Sequence, residues 1–322
     1  MSCRTHAPFF GFVGLIALVL PAAWPAAAFE DGRASFRVRC QDESNRLSVT
    51  MAVVMPGESL ELEVVDAGPA DTFRLIAPRG HVVEQAARRW VWTAPDHGLV
   101  PLRIVRDGAE ETITVNAFVL VPRHRVQADG DLDGYRIGHY PQEALRGLAI
   151  YEPPRGFIEV TPENADTRVG PHFTLRQFLC KQDADWPRFV VLRPRLVIKL
   201  EYLLRRVNAA GHPCETFEIM SGYRTPWYNH AIGNVKYSRH IYGGAADIYI
   251  DQDPRDGEMD DLDGDGKVDV RDAAVLYALV DGEYGKPGYA SLIGGLGQYR
   301  RTASHGPFVH VDVRGRRARW GD

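Results

Sequence analysis

Ser221-Gly-Tyr-Arg-Thr-Pro-Trp-Tyr-Asn229 leads within a few residues into Tyr237-Ser-Arg-His-Ile-Tyr-Gly-Gly-Ala-Ala-Asp247, and both must be read with a late segment, His305-Gly-Pro-Phe-Val-His-Val-Asp312. Residues 245–250 are β-prone and put Asp247 and Tyr249 on one face. In residues 308–313, His310 and Asp312 share a face while Val309, Val311 and Val313 point the other way, because strand side chains alternate. Two neighbouring strands of this kind present a carboxylate and an imidazole to one cleft. Gly243 and Gly244 let the chain turn sharply, so that His240 folds back over Asp247. A catalytic zinc takes three protein ligands from His and Asp or Glu and keeps a further position open. His240, Asp247 and His310 are the predicted ligands.

The flanks add to this. Ser221-Gly-Tyr-Arg-Thr-Pro with Asn229, then Ser238-x-His240-x-x-Gly243-x-Ala245-x-Asp247, then His310 in a Phe-Val-His-Val-Asp strand, resemble the zinc D-Ala-D-Ala peptidases of family M15. The likeness is greatest to their branch of periplasmic murein peptidases, and it covers residues 156–320. It implies an α+β domain of hedgehog or D-Ala-D-Ala-peptidase type, a small antiparallel sheet with helices. It implies Zn2+ on His240, Asp247 and His310, with Arg224 meeting the substrate's carboxylate or the developing oxyanion. The implied activity is zinc-dependent hydrolysis of amide bonds in peptidoglycan peptide stems or cross-links, by a murein endopeptidase or a D,D-carboxypeptidase.

One position departs from the pattern. Dipeptidase-like members carry an acidic general base three places before the last His, and Pro307 stands there. Two residues remain as candidates for the base. Asp312 shares a face with His310, and is equally suited to orienting a zinc-bound His. His305, in a Ser-His-Gly-Pro turn, is suited to acid/base work or to donating to the transition state. The same departure supports an alternative reading, a peptidoglycan-binding module that keeps the zinc pocket without hydrolysing anything. A calcium-dependent adhesion protein is a third reading, disfavoured because adhesion has no use for an open zinc site.

Between the second and third ligands lies Asp261-Leu-Asp-Gly-Asp-Gly-Lys-Val-Asp-Val-Arg-Asp272. It follows the EF-hand-like pattern D-x-D-x-D-G, with Asp272 in place of the usual final Glu. Asp261, Asp263, Asp265 and Asp272, the Lys267 carbonyl and a water on Asp269 would form the oxygen shell of a structural Ca2+. Such an ion would neutralise the clustered carboxylates and fix the insertion beside the site.

Toward the N-terminus, Arg4, the apolar run 9–20 and Pro21-Ala-Ala-Trp-Pro-Ala-Ala-Ala28 read as a signal peptide, residues 1–28, cleaved after Ala28. The apolar run is shorter than the roughly 20 residues a bilayer span takes, so no membrane span is expected after cleavage. A periplasmic or secreted protein is expected. A net charge of −4 offers no basic face for nucleic acid. Of the cysteines left, Cys40, Cys180 and Cys214, one pair can close in an oxidising compartment, and Cys180 with Cys214 is favoured because both lie in the C-terminal half.

Residues 30–122 hold seven short β-prone runs, at 34–39, 48–54, 59–65, 72–76, 90–93, 99–105 and 112–121, which predict an all-β, immunoglobulin-like sandwich. Residues 123–156 are rich in Gly, Pro and Asp and read as a turn-rich linker to a catalytic domain at 157–322. Within that domain an amphipathic helix is predicted at 194–209, with Glu201 as a solvated charge on it. Thr225-Pro226 predicts the start of a short helix that Gly233 closes.

Overall fold

The computed structural model describes residues 1, 29–109 and 111–321. Apart from Met1, the segment expected to be a signal peptide, residues 1–28, lies outside the described residues. Among the described residues no helix is long and apolar enough to cross a membrane.

The N-terminal region is β-rich: β1 (Arg33–Cys40), β2 (Glu43–Leu47), β3 (Val49–Val54), β4 (Ser59–Asp66), β5 (Phe73–Ile76), β6 (His81–Ala86), β7 (Arg89–Thr93), β8 (Gly98–Arg106) and β9 (Thr112–Val119). They form two sheets, ordered β2-β1-β4-β7-β6 and β3-β9-β8-β5. Alternation drives the pairing: Phe36 and Val38, then Leu60, Leu62 and Val64, turn inward onto Trp92, Leu102 and Val115. The two strands that the sequence did not announce, β2 and β6, lie at the edges of one sheet. β6 faces water along nearly its whole length and β2 is mostly half-buried polar residues, so no apolar period marks them. β9 is instead buried on both faces toward its end, because Phe118 and the Met51 of β3 join the core of the C-terminal half.

Residues 123–156 are packed, not a free linker. β10 (Val121–Pro122) pairs with a strand beyond this segment, and inside it β11 (Asp131–Leu132) and β12 (Tyr135–Arg136) form a hairpin. β13 (Gly156–Val160) joins β10 to β14 (Arg188–Val190). Leu132, Tyr135 and Ile137 are fully buried against Phe157 and Phe189. The Tyr140 hydroxyl donates to the Ile241 carbonyl at 2.9 Å and lies 3.0 Å from the Tyr223 hydroxyl. These anchors are single side chains separated by turn residues, which is why composition suggested a linker. The Asp-Gly turns themselves behave as read, with Gly134 N–H donating to Asp131 Oδ1 at 2.8 Å.

The remainder comprises α1 (Pro194–Ala209), β15 (Glu218–Ser221), α2 (Pro226–Ala231), β16 (Ala245–Tyr249), α3 (Val270–Asp281), β17 (Gly295–Tyr299), β18 (Phe308–Asp312) and β19 (Ala318–Gly321). One sheet runs β15-β16-β18-β17-β19, antiparallel except between β17 and β19. The whole is α+β. Helices α1 and α3 cover one face, burying Leu196, Leu200, Leu203, Ala273 and Leu276 against Ala246, Ile248, Val309 and Val311. The opposite face is left for chemistry.

Two expectations fail in this half. Glu201 is not solvated: it is 4% exposed and accepts the His172 backbone N–H at 2.8 Å, with His172 Nδ1 at 2.7 Å. Cys180 and Cys214 do not pair. Both are buried free thiols, Cys214 donating to the Thr216 carbonyl at 3.0 Å and Cys180 facing Gln182.

Candidate metal centre

Register brings the predicted ligands together. Asp247 on β16 is the direct cross-strand partner of His310 on β18, so both side chains stand on the uncovered face. His240 sits in the 3-10 turn 239–242 just before β16, and Gly243, at φ 63°, reverses the chain behind it. A Cβ at Gly243 would lie 2.2 Å from the Val191 carbonyl oxygen, so the turn accepts nothing larger. The three side chains are buried and offer ligand atoms that all lie within 4.8 Å of one another.

The spacing fits a tetrahedral ion. His310 Nδ1 lies 2.7 Å from Asp247 Oδ1, and His240 Nε2 lies 3.2 Å from each of them. An ion about 2.0–2.2 Å from each donor asks for roughly 3.3–3.6 Å between donors, so the two 3.2 Å spacings nearly suit it and the 2.7 Å hydrogen bond would open by under about 1 Å. The far atoms are held as well. His240 Nδ1 donates to the Gly222 carbonyl at 2.7 Å, which leaves Nε2 as the ligating atom. Arg224 Nη2 donates to Asp247 Oδ2 at 2.7 Å and its Nε to Ser221 Oγ at 2.7 Å.

Electrostatics agree with the geometry. Burial lowers the His240 pKa, and the nearby Asp247 charge does not recover it, so the neutral, ligating form is favoured. Burial pushes the Asp247 carboxyl up, but the two rings beside it outweigh this and hold it well below the usual carboxylate range. For His310 burial also acts downward, and its contacts with Asp247 and Asp312 more than offset it. Asp247 and His310 therefore share a proton in a place where a cation can take its role.

The other predicted residues sit differently. Asp312 is not placed as a base: it is fully buried behind His310, its Oδ2 3.4 Å from the ring's Nε2, on the side away from the ligand atoms. Its Oδ1 accepts the Gly295 N–H at 2.8 Å, and the Arg314 guanidinium binds both oxygens. This is the position of an orienting partner. Arg224, 9% exposed, lines the cleft but spends its guanidinium on Asp247 and Ser221. His305 is half-buried at the cleft rim, its ring edge-on to Phe308 at 5.0 Å and its Nδ1 2.9 Å from the Gly306 carbonyl. The cleft around the triad has a volume of about 940 Å³.

Three neighbours escaped the sequence reading. Lys199 is fully buried on α1 and donates to the Asp312 carbonyl at 2.7 Å, bracing the strand that carries His310. Its place three residues after Leu196 and one before Leu200, on the apolar face, was the available signal. Trp320 packs 5.1 Å from the His310 ring and donates to the Tyr299 hydroxyl at 2.7 Å. It fits only because β17 is glycine-rich there: a Cβ at Gly297 would stand 2.5 Å from the indole nitrogen. Lys181 also lines the cleft.

In the acidic loop the structure brings only Asp261, Asp263 and Asp265 within ligand range of one another. Asp261 already accepts N–H groups of Gly264, Asp265 and Gly266, and Asp265 accepts that of Lys267 while pairing with Arg271. Asp269 caps α3, and Asp272 accepts from Leu262, Asp263 and Asp269. Lys267 is exposed on this loop. The sequence motif is thus present as a folded turn whose carboxylates are largely satisfied from within.

A family model described as Peptidase M15 matches residues 171–259, a stretch that holds Arg224, His240 and Asp247 and ends before His310. The match supports a peptidase M15 domain in this part of the chain, and the His-Asp-His group is compatible with the zinc dependence of that family. No curated protein matches the chain. Among solved structures, the adhesin InvE of Yersinia pseudotuberculosis is similar at 17% identity and a TM-score of 0.18, over 28% of this chain and 28% of that one. The chain thus spans little more than a quarter of that structure's length.

Proposed function

We propose that this protein is a zinc-dependent peptidase that hydrolyses amide bonds in the peptide stems or cross-links of peptidoglycan, outside the cytoplasm. The observation that carries the reading is the convergence of His240, Asp247 and His310 on an open cleft within an M15 domain. His240, Asp247 and His310 would hold a zinc ion, which would supply Lewis acidity to the scissile carbonyl and lower the pKa of a water to near neutral.

The chain's own groups do the rest. Arg224 keeps Asp247 turned toward the two rings, and Asp312 with Lys199 and Arg314 keeps His310 turned toward Asp247. His305 is the proton acceptor in this reading: with Nδ1–H given to the Gly306 carbonyl, Nε2 is free to take the attacking water's proton and return it to the leaving amine. A structural calcium in the 261–272 loop would have to displace the Arg271 guanidinium from Asp265.

Digestion of purified peptidoglycan by the zinc-loaded protein, with fragments identified by mass, tests the reading. New fragments that vanish with a zinc chelator and in Asp247→Ala support it. A second reading, a binding module that has lost hydrolysis, is favoured by Pro307 in the family's acidic position. Stoichiometric zinc and peptidoglycan pull-down without any new fragment would select that reading instead.

A further inference from the structure

Beside the metal cleft lies a second hollow of about 580 Å³, walled by residues 139–143 on one side and by α2 with the loop after it on the other. The two hollows share Asn234 and Tyr237, so the stretch 232–237 is a partition between them. Its two faces differ. Toward the metal it offers Ile232 and Val235, 48% and 68% exposed. The other hollow is lined by His139, Glu143, His230 and Lys236, with Asn229 among them.

Asn229 is the unusual member. It is 3% exposed, and its Nδ2 donates to the Val235 carbonyl at 3.0 Å, which fixes the orientation of the amide. Its Oδ1 then has no hydrogen-bond partner. Buried polar atoms are almost always satisfied, so this oxygen is an exception in the hollow's wall. The hollow thus offers a carboxylate for an ammonium and a lysine with two imidazoles for an anion, with the unpaired Asn229 oxygen enclosed in its wall. That set complements a residue that carries an amino group together with a carboxylate, and it suits neither an apolar group nor a simple anion.

We propose that this second hollow is a subsite for the second peptide branch of a cross-linked substrate, holding a zwitterionic amino-acid residue while the branch to be cut lies in the metal cleft. The inference rests on the peptidase reading and sharpens it toward an endopeptidase, since a substrate with one branch would leave the hollow unused. The partition 232–237 would then lie between the two branches, its apolar face against one and its polar face against the other.

The test compares a cross-linked stem dimer with the single stem of the same sequence, using zinc-loaded protein, and follows kcat and KM for each. The wild type is expected to prefer the dimer. Lys236→Glu and His230→Ala, both at exposed positions, are expected to cut that preference about tenfold each, through KM, the size of one charge-assisted contact. No preference in the wild type, or a preference that neither variant changes, overturns the subsite. If neither peptide is cleaved the peptidase reading fails, and calorimetric titration of the metal-free protein with the same two peptides decides the subsite alone. Tighter binding of the dimer that is lost in Lys236→Glu upholds it, and equal binding of the two peptides sinks it.

Discussion

Two places in the C-terminal half gather donors at distances a cation can bridge, and the fold has prepared them in opposite ways. At His240, Asp247 and His310 the donors are buried and come from three separate segments. Their outer atoms are held by Gly222, Arg224 and Asp312, which leaves the inner atoms facing one another. At Asp261, Asp263 and Asp265 the donors are half-buried or exposed and come from one short stretch. Their oxygens already accept backbone N–H groups of the same loop, and Arg271 adds its charge. Local sequence is enough to build the acidic turn and to satisfy it. The triad's partners, Asp312 apart, come from far along the chain, and burying such groups is costly unless something pairs with them.

The largest effect should come from removing a ligand of the triad. Asp247→Ala is expected to lower bound zinc from one per chain to none, and hydrolysis by about three decades, since a metal supplies several kcal/mol to such a transition state. Elemental analysis beside the peptidoglycan assay reads both, and a variant that kept its zinc would erase the contrast between the two sites.

Next in size is the support behind the triad. Burial pushes Lys199 down to about 7 from an ordinary 10.5, with the Asp312 charge opposing the shift. Between those values the unfolded chain holds the proton more firmly than the folded one, so stability rises with pH from about 7 toward 10.5, and the full penalty applies below 7. Lys199→Met should remove this slope, a difference on the order of a few kcal/mol between the two ends. Urea unfolding at pH 6.5 and 9.5 measures it. Equal slopes in both proteins would mean that Lys199 reaches water.

A smaller loss is expected from Arg224→Met, which frees the outer oxygen of Asp247: zinc affinity should fall about 10- to 100-fold, as is usual when a ligand's hydrogen-bond partner is lost. Competition with a chromogenic chelator gives the number, and an unchanged affinity would return Arg224 to a role in substrate binding alone. The smallest effect belongs to the acidic loop. In calcium-free buffer Asp263→Ala should cost under about 1 kcal/mol, because its site is exposed and its neighbours remain paired. A calcium-dependent rise in thermal midpoint, present in the wild type and absent in this variant, would narrow the contrast by giving the loop its ion.

The same contrast explains what could be read beforehand. Strand alternation located Asp247 and His310 on one face, and the apolar period of α1 gave its bounds, because both signals are local and periodic. β2 and β6 were hidden since these edge strands carry no apolar period. Residues 123–156 looked like a linker because their anchors, Leu132, Tyr135, Ile137 and Tyr140, are scattered among turn residues. Lys199 and Glu201 were hidden for a third reason. Each is a charge whose partner, the Asp312 carbonyl or His172, lies far away in the chain, and only the fold reveals it. The acidic loop shows the converse, a motif complete in sequence whose carboxylates mostly turn out to serve the backbone.

The most direct measurement is diffraction from crystals grown with zinc and calcium, with anomalous data collected on both sides of the zinc edge. The account predicts one zinc peak about 2.0–2.2 Å from His240 Nε2, Asp247 Oδ1 and His310 Nδ1. A zinc peak at the acidic loop instead, or none at the triad in protein that still hydrolyses peptidoglycan, would contradict it.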